Sequence, residues 1–473
     1  MTAIKFGTDG WREIMAGEFT FRNVKFVTQA IAEYINDNSM GDRGIVIGYD
    51  NRFLSEHFAE AVAEVLCGNN IKVFMTGRAT PTPVTAFAVK MLRAAGAVML
   101  TASHNPPEYN GIKFIPEYAG PALPYITDVL EKKVNQVVNL GEYKETRYDE
   151  AVNAGLVIHT DPFAEYISHL KNIIDVNKIS KAGLKIIVDP MYGAGIGYLD
   201  QILKEAGCEV EVIHGVRDPL FGGSLPEPSE KVLTELRDKV VDQSANLGLA
   251  MDGDADRFGI IDSDGTYISP NQVLYLIYYH LLNSRGLKGP VARSVATTHM
   301  LDRIAEHYGF EVDETPVGFK YIGESMMKKG SILGGEESGG LSISGHIPEK
   351  DGILAALLIT ELVAEQGRPV RDIIRHINEQ FGSLVSQRLD IKTTPEKKVL
   401  VLSALLEATP AELCGITVSR TIAVDGKKFV MEDGSWVLIR ASGTEPLFRI
   451  YVETDSPDKL KEIQNATKEL LML

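Results

Sequence analysis

Four short stretches of this chain concentrate residue types that can do chemistry. In TASHNPPEYNGIKF (residues 101–114), the apolar run Gly96 to Leu100 ends on a serine and a histidine. Two prolines, the turn pair Asn110-Gly111 and a single lysine, Lys113, follow. Neither proline can donate a ladder hydrogen bond, so the strand must stop there and Ser103 must stand on the loop at its end. Open α/β sheets gather their chemistry at such places. Taken alone, the segment is equally well a surface turn with a solvated serine.

The second stretch, MDGDADRFG (251–259), sets Asp252, Asp254 and Asp256 on alternate positions. Three hard oxygen donors so spaced suit a magnesium ion with room for a phosphate oxygen. An EF-hand would need Gly at its sixth position and Glu at its twelfth, where this chain has Arg257 and Ser263. A solvated acidic turn is the bland alternative. Just beyond, GIIDSDGTYIS (259–269) looks like the D-x-D-G-T signature of haloacid-dehalogenase-type phosphatases, with Asp262 as nucleophile. Ser263-Asp264-Gly265 between two alternating β runs is also an ordinary hairpin turn, and that reading is preferred.

The third stretch, GGEESGG (334–340), lets the backbone approach a ligand, while Glu336, Glu337 and Ser338 offer groups that bind sugar hydroxyls. In isolation it is also a flexible turn. The fourth, RASGTEP (440–446), gathers Arg440, Ser442 and Thr444 around Gly443, so that a guanidinium, two hydroxyls and backbone N–H groups can converge on one phosphate. Arg449 can add charge.

These loops need a large scaffold. At 473 residues the chain exceeds what one core supports, so two to four domains are expected. Its formal charge is -16, from 48 basic and 64 acidic side chains. Such a surface repels nucleic acid and anionic membrane, so an anionic ligand must be held by a local positive cluster. Three scattered cysteines without a C-x-x-C pair read as reduced thiols. No stretch reaches the roughly 18 apolar residues of a membrane span, and the N-terminus lacks a targeting pattern. A cytoplasmic protein is expected, with no nucleic-acid or membrane partner.

Short β-branched runs alternate with helical patterns, as in parallel sheets built by crossover helices. GIVIGYD (44–50), LKIIVDP (184–190) and LGLAMDGD (247–254) each close on an Asp beside a turn residue, a weak hint of repeated α/β units. Helices are expected over 161–174, with Asp161 as cap and Pro162 first, and over 271–286, ending on a Gly. The segment around 141–150 reads as a linker, and another boundary falls near 370–385. After it, VLIRASGTEPLFRIYVETD reads as two strands around a loop, followed by a C-terminal helix.

TASHNP, DGDADR, GEESGG and RASGTEP, together with FGTDGWR near the start, make the chain resemble the α-D-phosphohexomutase superfamily over essentially its whole length. The resemblance implies an α/β chain with four domains around a central cleft: three related mixed-sheet units and a smaller C-terminal α+β domain. The corresponding divisions are 1–148, 149–266, 267–374 and 375–473. The implied activity interconverts hexose 1-phosphate and hexose 6-phosphate through a phosphoserine and a hexose 1,6-bisphosphate. Carried over residue by residue, Ser103 becomes the phosphoserine, with Asp252, Asp254 and Asp256 holding Mg2+ against its phosphate. Lys113 and His104 become acid/base candidates, and Arg257 lies beside the reacting phosphate. Arg12 faces phosphate, Glu336 and Ser338 meet sugar hydroxyls, and Arg440, Ser442, Gly443, Thr444 and Arg449 grip the distal phosphate.

Serine is a poor nucleophile, so the transfer must rest on positioning and charge neutralisation. Lys113 would have to surrender a proton near neutral pH, which a cationic neighbourhood would favour. A mutase must also turn its bisphosphate over, which requires two anion sites. Closure of the last domain is expected to keep water from the phosphoserine. TPVGFKYIGE (315–324) places Phe319 and Lys320 where dual glucose/mannose enzymes carry a histidine and glucosamine mutases an aspartate. GHIPEKDG (345–352) is similar to the corresponding segment of glucose-directed phosphoglucomutases, implicating His346 and Lys350 in phosphate or sugar contact. Glucose phosphate, with glucose 1,6-bisphosphate as activator, is the expected substrate. Phosphomannomutase and phosphopentomutase activities, and a phosphatase using Asp262, are the alternatives. Sugar phosphates are the expected small-molecule partners, and oligomeric state is left open.

Overall fold

The computed structural model describes residues 4–7, 9–441 and 447–471. The β-branched runs form strands of four separate sheets. The first is built from β1 (Trp11–Ile14), β2 (Ile45–Tyr49), β3 (Val73–Thr76), β4 (Gly96–Leu100), β5 (Tyr109–Pro116) and β6 (Val157–Thr160), in the order β1-β5-β4-β2-β3-β6. The second holds β7 (Lys185–Asp189), β8 (Glu209–Val212), β9 (Leu247–Met251), β10 (Phe258–Asp262) and β11 (Tyr267–Ile268), ordered β11-β10-β9-β7-β8. In the third, β12 (Val291–Ser294), β13 (Val312–Thr315), β14 (Leu333–Glu336) and β15 (Gly340–Ile343) lie in the order β13-β12-β14-β15.

One device recurs in all three. A parallel strand is followed by an antiparallel return strand: β4 by β5, β9 by β10 and β14 by β15. The connections between them are residues 101–108, 252–257 and 337–339, which carry the serine, the aspartates and the end of the glutamate loop. The hairpin reverses the chain at the C-terminal end of the parallel strands, where crossover sheets leave an open crevice.

β6 pairs in parallel with β3, so the first sheet continues past the expected division at residue 148. The polar stretch before it is not a free linker, because it includes the short helix Tyr148–Asn153, whose Ala151 lies in the first core. The helix expected over 161–174 spans Phe163–Ile173, with Asp161 accepting from the Phe163 amide at 3.1 Å. The one expected over 271–286 spans Pro270–Asn283, behind a capping box formed by Ser269 and Gln272.

The second and third units share one apolar core, which runs from Tyr166 through the helix Gly352–Gln366 to Ile377. That helix, GILAALLITELVAEQ, is apolar almost all round, and every residue from Gly352 to Val363 is buried, as expected of an element enclosed by protein on all sides. Each fully buried Leu or Ile contributes about 1.5–3 kcal/mol. Its start is fixed by Asp351, which accepts from the Leu354 amide at 2.9 Å.

The fourth sheet is wholly antiparallel: β16 (Val385–Lys392), β17 (Glu412–Leu413), β18 (Ile416–Ile422), β19 (Lys427–Met431), β20 (Trp436–Ala441) and β21 (Leu447–Thr454), ordered β16-β21-β20-β19-β18-β17. Period-2 alternation divides its faces. Val437, Ile439, Phe448, Ile450 and Val452 pack with residues of the helices Pro395–Glu407 and Pro457–Leu470. Trp436, Leu438 and Tyr451 face the third unit, against Val295 and Ala296. Among the described residues, no helix is long and apolar enough to cross a membrane.

Candidate functional site

Ser103 is 1% exposed, just past the end of β4, with φ at +52°. A serine in that left-handed conformation is strained and must be held by its surroundings. Its amide donates to Thr101 Oγ1 at 2.8 Å, and Thr101 in turn donates to Asp50 Oδ2 at 2.6 Å. The fully buried Arg52 guanidinium grips the loop from below. It donates to the carbonyls of Ser103 (2.7 Å), Asn105 (2.6 Å), Pro106 (2.7 Å) and Tyr109 (3.0 Å). Asp50 and Arg52 close the segment GIVIGYDNR, whose terminal Asp was visible in the sequence but whose purpose was not.

The aspartate loop meets the serine loop backbone to backbone. A side chain at Gly253 would lie 2.6 Å from the Ser103 carbonyl oxygen. Ser103 Oγ donates to Asp252 Oδ2 at 2.7 Å. Asp252, Asp254 and Asp256 are all buried, and each offers an oxygen within 4.8 Å of the others. Burial first, then Asp254 and Asp256, raises the Asp252 carboxyl well above its usual range. Asp254 Oδ1 and Asp256 Oδ1 are buried without a hydrogen-bond partner. Orphaned carboxylate oxygens of this kind carry a desolvation cost that a divalent cation would relieve, so the donor set fits Mg2+.

Lys113 lies in the opposite environment from the one expected. Its Nζ is 2.9 Å from each of Asp9, Asp254 and Asp256. Burial pushes its proton off, but the three carboxylates outweigh burial and hold it well above the ordinary lysine value. The neighbourhood is anionic, and Lys113 serves as its counter-charge. Lys350, from the third unit, is a second one, at 3.0 Å from Asp9 and 3.1 Å from Asp256. Sequence reading missed Asp9, which joins two lysines 237 positions apart and lies in the FGTDGWR segment.

His104 Nδ1 is 3.3 Å from Ser103 Oγ. Arg257, then burial, then Arg12 keep this imidazole well below its ordinary pKa and therefore neutral at pH 7. Arg12 donates to Asn105 Oδ1 at 2.9 Å. The Arg257 amide donates to Asp252 Oδ1 at 3.1 Å, while its Nε is buried without a hydrogen bond, 3.9 Å from Asp256 Oδ1.

Glu336 Oε1 accepts from Ser338 Oγ at 2.8 Å, and its Oε2 is buried and unpartnered. Burial, then Glu337, raises its pKa. Phe319 is 3% exposed and packs on Ala292 and Ile322, with its ring centroid 5.9 Å from Lys350 Nζ. It therefore sits in the core behind Lys350. Lys320 is half-buried, and burial lowers its pKa. His346 is turned into the protein. Its side chain is fully buried, with Nε2 on Asp351 Oδ2 at 2.9 Å and Nδ1 on His169 at 3.0 Å. The similarity of GHIPEKDG to a ligand-contacting segment pointed to His346, but the ring turns away to satisfy buried polar partners.

In the fourth unit, Arg440 and Arg449 are directly opposite each other on β20 and β21, so they share a face. Arg440 donates to Asp425 Oδ2 at 2.8 Å, and the Nε atoms of both arginines are buried and unpartnered. Ser442, Gly443 and Thr444 lie outside the described residues.

Four descriptions from one known family match most of the chain. The phosphoglucomutase/phosphomannomutase descriptions match in chain order: alpha/beta/alpha domain I over residues 3–140, domain II over 164–265, domain III over 269–381 and the C-terminal domain over 391–470. The chain belongs to the phosphoglucomutase/phosphomannomutase family. A Thermococcus kodakarensis phosphoglucomutase/phosphomannomutase is 31% identical over 97% of this chain and 96% of its own. A Thermococcus gammatolerans protein named as a phosphoglucosamine mutase is 31% identical, covering 98% of each chain. A crystal structure from Thermus thermophilus, assigned as a phosphomannomutase, superposes with a TM-score of 0.87 at 33% identity over the whole of both chains. Family members are phosphotransferase enzymes, which sets the catalytic class of this chain, and its relatives are named for different sugars.

In this chain the D-x-D-G-T look-alike is structural. Asp262 ends β10, and residues 262–265 turn into β11 as a hairpin. Its buried carboxylate accepts from the amides of Ser263 (2.8 Å), Val370 (3.1 Å) and Arg371 (2.9 Å), and from Arg371 Nη1 (3.2 Å). It thereby caps the helix Val370–Phe381, with its lone pairs occupied.

Proposed function

We propose that this chain interconverts hexose 1-phosphate and hexose 6-phosphate, with glucose preferred, by passing a phosphoryl group through Ser103. The observation that carries the reading is Ser103 Oγ bonded to Asp252 beside the orphaned oxygens of Asp254 and Asp256. These three aspartates would hold Mg2+, which when bound neutralises charge on the phosphoryl oxygens. The units follow the divisions given above, with the first moved past Thr160 by its strand pairing.

In the forward half, the phosphoryl group leaves Ser103 Oγ for the free hydroxyl of a bound sugar phosphate, and that hydroxyl loses its proton. Neutral His104 has the charge state of an acceptor, whereas Lys113, tied to three carboxylates, fits a fixed positive charge. The resulting bisphosphate turns over and returns its other phosphoryl group to Ser103. Arg440 and Arg449 supply unpartnered donors for the phosphate that is not reacting. The unpartnered Glu336 Oε2 is an acceptor for sugar hydroxyls. With a net charge of -16, the protein relies on these local cations to recruit an anion.

Glucose is supported by GHIPEKDG, the segment that brings Lys350 to Asp9 and that is similar to the one in glucose-directed phosphoglucomutases. A coupled assay with Mg2+ and a trace of each hexose 1,6-bisphosphate, run on the 1-phosphates of glucose, mannose, glucosamine and ribose, tests the choice. The highest kcat/KM is expected on glucose 1-phosphate. A preference for glucosamine would overturn the sugar assignment, and turnover of none would overturn the mutase reading.

A further inference from the structure

Three units of the chain meet at one histidine that plays no part in the mechanism above. His169 lies on the second-unit helix Phe163–Ile173. Its ring packs 5.0 Å from Phe87 of the first unit and stacks 5.1 Å from His346 of the third, at 32° and 23°. His169 Nε2 is 3.0 Å from His346 Nδ1. His346 Nε2 lies 2.9 Å from Asp351 Oδ2, an oxygen that also accepts from Tyr166 OH at 2.6 Å. Asp351 accepts only, so it fixes His346 with its proton on Nε2 and its Nδ1 as acceptor. His169 must therefore donate. Between β15 and the helix Gly352–Gln366, the same loop carries Lys350 to Asp9 and Asp256.

We propose that His169 is a positioning residue: by donating to His346 it fixes the loop 344–351, and so sets where Lys350 stands in the site. The inference rests on the reading of that site given above. It also implies an acid limit. One extra proton on the pair is tolerated, because it can sit on His169 Nδ1 while the Nε2–H to Nδ1 bond survives. A second proton would set N–H against N–H and break the tie. The titratable groups facing the pair are Asp351 and Tyr166, with Glu165 beside His169 on the rim of a surface hollow of about 400 Å³. The first-unit helix Thr82–Leu92 contributes the Phe87 ring. Burial, then His346, holds His169 below its ordinary value, so even the first added proton enters late, and the second, added to an already charged pair, enters at lower pH still.

Two variants test this. Gln can place an amide N–H where His169 has Nε2–H, or turn its oxygen to accept, and it does not titrate. His169→Gln should keep kcat within about twofold of wild type at pH 7.5, and the acid limb of its kcat profile should move to lower pH. His169→Leu should lower kcat on the order of tenfold with KM little changed. Hydrogen exchange of residues 344–351 without substrate should quicken in His169→Leu and not in His169→Gln. That readout does not depend on turnover, so it separates failure of the tie from failure of the proposed reaction. Unchanged exchange and kcat in His169→Leu would overturn the proposal. Should that variant not fold, an acid limb identical in His169→Gln and wild type would overturn it.

Discussion

Lys113 and Lys428 are both buried almost completely, and their surroundings drive them in opposite directions. Lys113 stands among Asp9, Asp254 and Asp256, and its proton is held more tightly than in water. Lys428, on β19, lies 3.0 Å from Glu314, 2.8 Å from both His299 Nε2 and the Val295 carbonyl, and 4.2 Å from the centre of the Trp436 ring. Burial, then neighbouring Arg293, brings it down to about 8 despite Glu314. The cationic neighbourhood that sequence reading assigned to Lys113 is thus found at Lys428, where the fourth sheet docks on the third unit. Burial lowers a lysine pKa in both places, and the count of facing carboxylates decides which way it finally moves.

The largest effect should follow removal of the lysine with more carboxylates. Lys113→Met leaves two buried acids and the partly buried Asp9 short of a cation and should cost about 3–5 kcal/mol of stability in a denaturant titration. A loss near zero would mean that those acids do not need it. Lys428→Met should cost less, about 1–2 kcal/mol at pH 7, because Glu314 keeps Arg293. Its pH dependence sharpens the contrast. The folded protein releases the Lys428 proton near pH 8, whereas the unfolded chain keeps it to about 10.4. The cost of burying the charged amine is therefore full below pH 8 and is relieved as pH rises through 8 to 10.4. Wild type should gain on Lys428→Met across that window, and a constant difference would contradict the assignment. The smallest effect belongs to a carboxylate away from both lysines. Asp262→Asn should lose about 0.5–1 kcal/mol in the same titration, as a weakened helix cap, with turnover retained.

Local chemistry was legible in the sequence where it is contiguous. Ser103 and the three aspartates each lie on a short connection between adjacent strands, so residue type and spacing suffice. What joins them was not legible, because it is built from distant residues. Asp9 reaches Lys350 across 341 positions, and Arg52 holds a loop more than 50 residues away. No periodicity announces such contacts. His346 shows the converse error. Its motif suggested a ligand contact, but its partner His169 is 177 positions away. The three α/β units could be expected from alternating strand and helix patterns, while β6 escaped because a polar stretch precedes a strand that pairs backwards.

The central claim is that Ser103 carries the transferred phosphoryl group beside the aspartate loop. The direct measurement is incubation of the protein with Mg2+ and glucose 1,6-bisphosphate, followed by intact mass and peptide mapping, with Ser103→Ala in parallel. One added phosphoryl group is expected, confined to Ser103, absent from Ser103→Ala and lost when Mg2+ is chelated beforehand. Phosphate on another residue, or equal labelling of the alanine variant, would contradict it.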